Sequence, residues 1–185
     1  MACSVYDLLF LDLAMTSSIT NGGDEDMKDV LKNVIKVIRK YSIDCFGNKS
    51  IIPIDWVIDD LAIWMIEYSC KYKVELALML AQATVECHFG VDPNARRSRK
   101  TKNIFNVGNV DSGADETQKS WEAGIERYAK LMNKEYYWGF NDGWVTMAMM
   151  EEHDFTRPVG GRYATASDYT VIVKSVYNKI KKILV

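Results

Sequence analysis

The chain has 185 residues, 48% apolar and 26% charged, with a formal net charge of −2. That length suits one ordinary domain with a sizeable core, and the composition excludes a disordered chain. The near-balanced charge excludes a general attraction to nucleic acid or anionic membranes, so such binding would need a local patch. Cys3, Cys45, Cys70 and Cys87 form no CxxC pair, and His88 and His153 are the only histidines. No zinc-ligand spacing results, no cofactor is expected, and the thiols read as reduced and mostly buried.

The first residues carry no basic stretch, and Asp7 and Asp12 interrupt their apolar run. They read as neither a secretion signal nor a membrane span, so synthesis in a cytoplasm is expected, with any later export by another route. Residues 4–15 read as a short apolar helix candidate, closed by a loop rich in Ser, Thr, Asn and Gly. Residues 24–41 are amphipathic, with Met27, Val30, Leu31, Val34, Ile35 and Ile38 at helical spacing. Their acids come early and their bases late, which complements the helix dipole. Pro53 suits the first turn of a helix running to about residue 72, with Trp56, Val57, Leu61, Trp64, Met65 and Tyr68 as its buried stripe.

Residues 74–86 are apolar almost all round and end on Glu86. A helix without a polar face is normally buried, and a buried carboxylate resists ionisation unless it is paired. Cys87, His88, Phe89 and Gly90 follow, which places Glu86 in the last turn, with Gly90 available to end the helix. There the negative end of the dipole adds to desolvation, and both raise the pKa toward that of a general acid at neutral pH. A structural ion pair with a base at the helix end is the competing reading. Gln82, one turn earlier on the same face, either orients the carboxyl group or bonds a neighbouring loop. His88, two residues on, faces away and reads as a surface or loop-bonded histidine.

Residues 91–119 are rich in Asp, Asn, Gly and Arg and read as a long irregular insertion. Arg96, Arg97, Arg99, Lys100 and Lys102 make the strongest local charge. A solvated loop is the favoured reading, ahead of contacts to nucleic acid, anionic wall polymer or an acidic partner. Ser120 is a plausible N-cap for a helix over 120–133. Tyr136, Tyr137, Trp138, Phe140 and Trp144 offer sugar-stacking platforms, although packing between helices is the commoner use of such clusters. A helix over 143–152, an irregular stretch over 154–166 and a last helix over 167–184 complete the chain. Strand signal is weak throughout, so the expected fold is mainly α.

Four blocks now resemble one family. The run Ala81-Gln82-Ala83-Thr84-Val85-Glu86-Cys87-His88-Phe89-Gly90 resembles the helix end "AQ(A/S)xxE(S/T)xxG" of glucosaminidase-type peptidoglycan hydrolases in the lysozyme superfamily. Asn103-Ile104-Phe105-Asn106-Val107-Gly108-Asn109 resembles their "N(N/P)(L/F)F(G/N)(I/V)" segment, and Ser120-Trp121-Glu122-Ala123-Gly124-Ile125 the helix after it. Arg162-Tyr163-Ala164-Thr165, followed by Tyr169, resembles the "RYATxxxY" signature.

The resemblance implies a lysozyme-like helical domain over 51–185 and cleavage of β-1,4 bonds in bacterial peptidoglycan, by hydrolysis or lytic transglycosylation. Glu86 falls on the catalytic acid and Tyr163 on a supporting tyrosine of the sugar cleft. Gln82, Asn103, Phe105, Asn106 and Asp111 become the candidate substrate-binding set. Phe89 and Phe105 then belong to the cleft blocks, which argues against a nucleic-acid surface on the basic run. Only about ten residues separate Asn109 from the next helix, so the β lobe that commonly carries a second carboxylate is reduced or absent. Asp111, Asp115 and Glu116 lie in that loop, and none matches a motif position. The short form is similar to transglycosylase-like proteins carried by phages. That implies a phage muralytic protein made in the host cytoplasm and associated with the virion, with residues 1–50 as a helical arm docking on virion proteins. The alternative is a virion protein that keeps the fold without catalysis.

Overall fold

The computed structural model describes residues 23–108, 115–138, 143–159 and 161–185. The helix expected over 4–15, Asp111 and Phe140 lie outside the described residues. Helices dominate: α1 (Gly23–Tyr41), α2 (Ile43–Phe46), α3 (Ile58–Tyr72), α4 (Leu76–Cys87), α5 (Arg96–Thr101), α6 (Trp121–Glu135), α7 (Met147–Glu152) and α8 (Tyr169–Leu184). Among the described residues there is no strand, only isolated bridges joining Val74 to Val145 and Thr156 to Arg162.

Helix α4 is the central rod. Leu76 to Thr84 are all buried, as an apolar sequence without a polar face requires. Its main partner is α8, while α3 and α1 also pack against it. Helix α1 buries Val34, Val37 and Ile38 completely and lies against α3 and α8, so this helix shares the domain's core. Helix α6 covers the far side of α3, where Tyr68 donates to Glu122 at 2.8 Å and Tyr72 donates to Glu126 at 2.8 Å.

The entry of α4 is pinned by a buried acid. Glu75 is 6% exposed; its Oε2 accepts from the Met147 amide at 2.8 Å, and its Oε1 accepts from the Tyr177 hydroxyl. One carboxylate thus ties the starts of α4 and α7 to α8, and its desolvation is offset by these donors.

Several expected boundaries shift, among them the start of α7, which lies at Met147 and not at position 143. Helix α3 begins at Ile58, not near Pro53, because the preceding segment is tethered elsewhere. The Trp56 indole donates to the Phe89 carbonyl at 2.8 Å, and Asp55 accepts from the Trp121 indole at 3.0 Å. Val57, counted in the buried stripe, is accordingly exposed. Helix α4 ends at Cys87 and is capped by His88 in the left-handed region, φ 48°, two residues before the glycine expected to do so. The insertion over 91–119 is less irregular than its composition, since the basic run winds into α5. Ser120 does cap α6, accepting from the Ala123 amide at 3.1 Å. No described helix is long and apolar enough to cross a membrane.

Candidate active site

Glu86 occupies the last turn of α4 and is half-buried at the wall of a cleft of about 560 Å3. The cleft runs between α5 (Asn94, Arg97 and Ser98 on that side), the loop with Phe105 and Asn106, and the segment from Tyr163 to Thr165. Glu86 and Tyr163 therefore share one groove, drawn from motif blocks far apart in sequence.

The chain turns sharply after Glu86 and is held there. His88 and Phe89 both take left-handed backbone, at φ 48° and 58°, a conformation that costs non-glycine residues about 1 kcal/mol each. Four anchors offset this. His88 Nδ1 donates to the Tyr41 carbonyl at 2.8 Å, and its ring meets Phe46 edge-on at 4.9 Å, turned away from Glu86. Trp56 holds the Phe89 carbonyl, and Cys87 Sγ reaches the Ile104 carbonyl at 3.0 Å. Arg99 donates to the carbonyls of Gly90, Asp92 and Pro93.

Both carboxyl oxygens of Glu86 have donors. Tyr169 Oη donates to Oε1 at 2.7 Å, and Asn106 Nδ2 donates to Oε2 at 3.1 Å. Desolvation raises the pKa of Glu86, outweighing these two hydrogen bonds, which lower it. Among the described residues no cationic side chain pairs with Glu86 to oppose that rise, so a structural ion pair is not the arrangement found there. Asn106 sits at φ 52°, a left-handed position that asparagine tolerates, and its Oδ1 accepts from Ser98 Oγ at 3.0 Å.

Tyr163 donates its hydroxyl to the Phe105 carbonyl at 2.7 Å and stacks on Tyr169 with ring centroids 5.9 Å apart. Burial raises its pKa well above 10, so the phenol stays neutral. Phe105 stacks on Tyr128 at 3.7 Å, which fixes the loop against α6.

The candidate substrate-binding set divides. Phe105 and Asn106 line the cleft, whereas Gln82 and Asn103 are buried behind it, 0% and 1% exposed. Asn103 staples its own loop, donating to the Val107 carbonyl at 2.7 Å and accepting from the Val107 amide at 3.1 Å. Gln82 reaches Tyr169 and Tyr128 instead of a loop. Tyr169, Tyr128 and Ser98 were absent from that set. Only Tyr169 had a signal, as the final tyrosine of the "RYATxxxY" block.

Among the described residues, Glu86 is the only acid lining the cleft. Asp115 instead accepts from Arg97 Nε at 2.6 Å, a hydrogen bond that holds its carboxyl below the usual range, with Lys100 also near. Glu116 pairs with Arg127 at 2.8 Å. The basic run is thus largely satisfied within the fold, not left as a solvated loop. Of the aromatic group, Tyr136 is buried beside Tyr163, while Tyr137 and Trp138 are each 37% exposed. No described member of that group is among the residues lining the cleft. No group of His, Cys, Asp and Glu among the described residues could hold a metal ion.

The raised pKa has a thermodynamic consequence. Between the ordinary glutamate value of 4.5 and the higher folded value, the folded chain keeps a proton that the unfolded chain has lost. Stability from this group is therefore present at low pH and is lost as pH rises through that window. Thermal melts of the wild type and Glu86→Gln between pH 4.5 and 8 are expected to diverge, the variant gaining relative stability with pH. Parallel curves would contradict the desolvated state of Glu86.

A mainly helical domain with one desolvated carboxyl group in a tyrosine-walled cleft fits the class of lysozyme-like glycosidases. Residues 62–182 match the family model Glucosaminidase, described as mannosyl-glycoprotein endo-beta-N-acetylglucosaminidase, and the chain belongs to that family. It is accordingly a glycoside hydrolase acting on peptidoglycan. No curated protein and no solved structure matches the chain.

Proposed function

We propose that Glu86 is the general acid that protonates the leaving oxygen of a β-1,4 bond in the glycan strand. The observation carrying this reading is its position: the one acid among the described cleft residues, desolvated yet open to the groove. As the C–O bond breaks, the glycosidic oxygen takes the Glu86 proton and positive charge develops at the anomeric carbon.

With no second carboxylate among the described lining, the acetamido oxygen of the sugar itself bonds the anomeric carbon. Tyr163 and Asn106 supply the walls that place it. Water then opens that ring, giving its proton to the Glu86 carboxylate and restoring the acid. This sequence retains the anomeric configuration. NMR of freshly cleaved product should show the β anomer first; an α product would instead require a carboxylate base, for which Asp111 is the candidate.

Tyr163 acts by holding the loop through Phe105, since its neutral hydroxyl is committed to that carbonyl. Tyr163→Phe removes one hydrogen bond, worth about 1 kcal/mol. Turnover should fall by roughly fivefold on that basis. A loss beyond a hundredfold in steady-state assays would mean that the hydroxyl takes part in the chemistry.

The same proposal places the protein in a phage, acting on the host wall. The short segment after Asn109 supports it. Because α1 already buries Val34, Val37 and Ile38 in this domain, docking on virion proteins falls to its outer face and the residues before it. Co-sedimentation of the protein with virions tests this.

A further inference from the structure

Gln82, Tyr128 and Tyr169 are not among the residues lining the cleft, yet they form one continuous chain ending on Glu86. Tyr128 Oη donates to Gln82 Oε1, Gln82 Nε2 donates to Tyr169 Oη at 3.0 Å, and Tyr169 Oη donates to Glu86 Oε1 at 2.7 Å. The three side chains come from α6, α4 and α8, and they are 0%, 0% and 5% exposed.

Such a chain can run in either direction in principle. In the reverse direction the Glu86 acid would donate to Tyr169, Tyr169 to Gln82 oxygen, and the Gln82 amide to Tyr128. The Tyr128 hydroxyl would then hold a buried proton without an acceptor, because Gln82 Oε1 is the acceptor the structure gives it. Leaving a buried donor unmade costs about 1–3 kcal/mol. The forward direction wins, and the aligned donors polarise one another along it.

We propose that Tyr128, acting through Gln82 and Tyr169, is a positioning residue that gives the two oxygens of Glu86 different tasks. Oε1 is kept as an acceptor facing the protein. The reactive proton is carried on Oε2, the oxygen beside Asn106 in the cleft wall. The longer 3.1 Å contact from Asn106 is the one that yields to the glycosidic oxygen. This inference rests on Glu86 being the acid.

The titratable groups around Glu86 come from every side. Tyr169 belongs to α8, Tyr128 to α6 and Tyr163 to the loop before α8; burial raises all three phenols well above 10. On its own helix Cys87 is pushed up to about 12 by burial, and His88 beyond it is turned onto Tyr41 of α1. Arg97 of α5 is paired with Asp115, and Asp92 lies in the loop between α4 and α5.

The test combines kinetics with a 13C NMR titration of the Glu86 carboxyl carbon, assigned by its disappearance in Glu86→Gln. Tyr128→Phe keeps the ring stacked on Phe105 but frees Gln82 to turn over. Turnover should fall about three- to tenfold with KM unchanged, the equivalent of one buried hydrogen bond. The Glu86 midpoint should rise by about half to one pH unit, because the reversed chain favours the protonated acid. Simple loosening would admit water and move the midpoint down, so the direction separates positioning from structural damage. Tyr169→Phe removes the donor itself and should move both readouts further in the same sense. If Tyr128→Phe does not fold, Tyr169→Phe decides. An unchanged or lowered midpoint, or unchanged turnover, overturns the chain while leaving the acid intact. Activity surviving in Glu86→Gln overturns the acid instead.

Discussion

Glu86→Gln is expected to remove wall-clearing activity, lowering kcat/KM by about a thousandfold, within the range a positioned general acid contributes. The substitution is nearly isosteric, and its new amide can be accommodated. Its Oε1 still accepts from Tyr169, while its Nε2 faces Asn106, whose side chain must turn to offer its oxygen. The fold should survive: at neutral pH the variant loses a desolvated carboxyl group, so the melting temperature is expected to hold or rise. Turbidity loss of a peptidoglycan suspension measures the first outcome, and calorimetry on the same sample the second. An active variant would remove Glu86 from the mechanism. An inactive variant that is also unfolded would mean that the carboxyl group is structural.

The sequence made Glu86 visible because two local signals agree there. An uninterrupted apolar helix announces burial, and a carboxylate at its end contradicts it. The same logic should have singled out Glu75, at the other end of the same helix, which is 6% exposed. Its donors, the Met147 amide and Tyr177, lie more than 70 positions away, so no local signal marks its role. Boundaries failed for a similar reason. Nothing near Pro53 states that Trp56 is needed by the Phe89 carbonyl, so the start of α3 is set by a tertiary contact, not by local propensity. The left-handed pair His88 and Phe89 was equally hidden, since a glycine at position 90 offered the cheaper stop. The basic run read as solvated because its partners, Asp115 and Asp55, are remote in sequence.

Conversely, the pairing of Glu86 with Tyr163 was legible only through ordered motif blocks. No periodicity reports that residues 77 apart meet. What the blocks could not supply is the chain through Tyr128 and Gln82, because a buried glutamine and a buried tyrosine look like ordinary core residues with polar tips. Their meaning is in the direction of the donors, which requires all three partners to be seen together.

Gly124→Ala should destabilise the domain, conservative though it is. Glycine within a helix usually costs about 1 kcal/mol relative to alanine, so on an exposed face the change would stabilise α6. Here the face is closed: a Cβ at Gly124 would lie 2.4 Å from the Lys102 carbonyl oxygen, with Asn103 Cα at 3.6 Å. The obstacle is backbone, at the end of α5, and it cannot turn aside as a flexible side chain would. Overpacking of this kind costs about 1–3 kcal/mol and outweighs the gain in propensity. A net loss of about 1 kcal/mol would lower the melting temperature by about 2–4 °C for a chain of this size. The movement also has a direction. Pushing Lys102 and Asn103 outward carries Phe105 and Asn106 with them, loosening the Tyr163–Phe105 bond and the Asn106 contact to Glu86. Activity measured well below the melting transition should therefore fall as well, whereas a helix stabilised by alanine would leave it unchanged. Calorimetry and wall-clearing assays on the one variant separate these outcomes, because close packing of α6 on the loop predicts that stability and activity decline together.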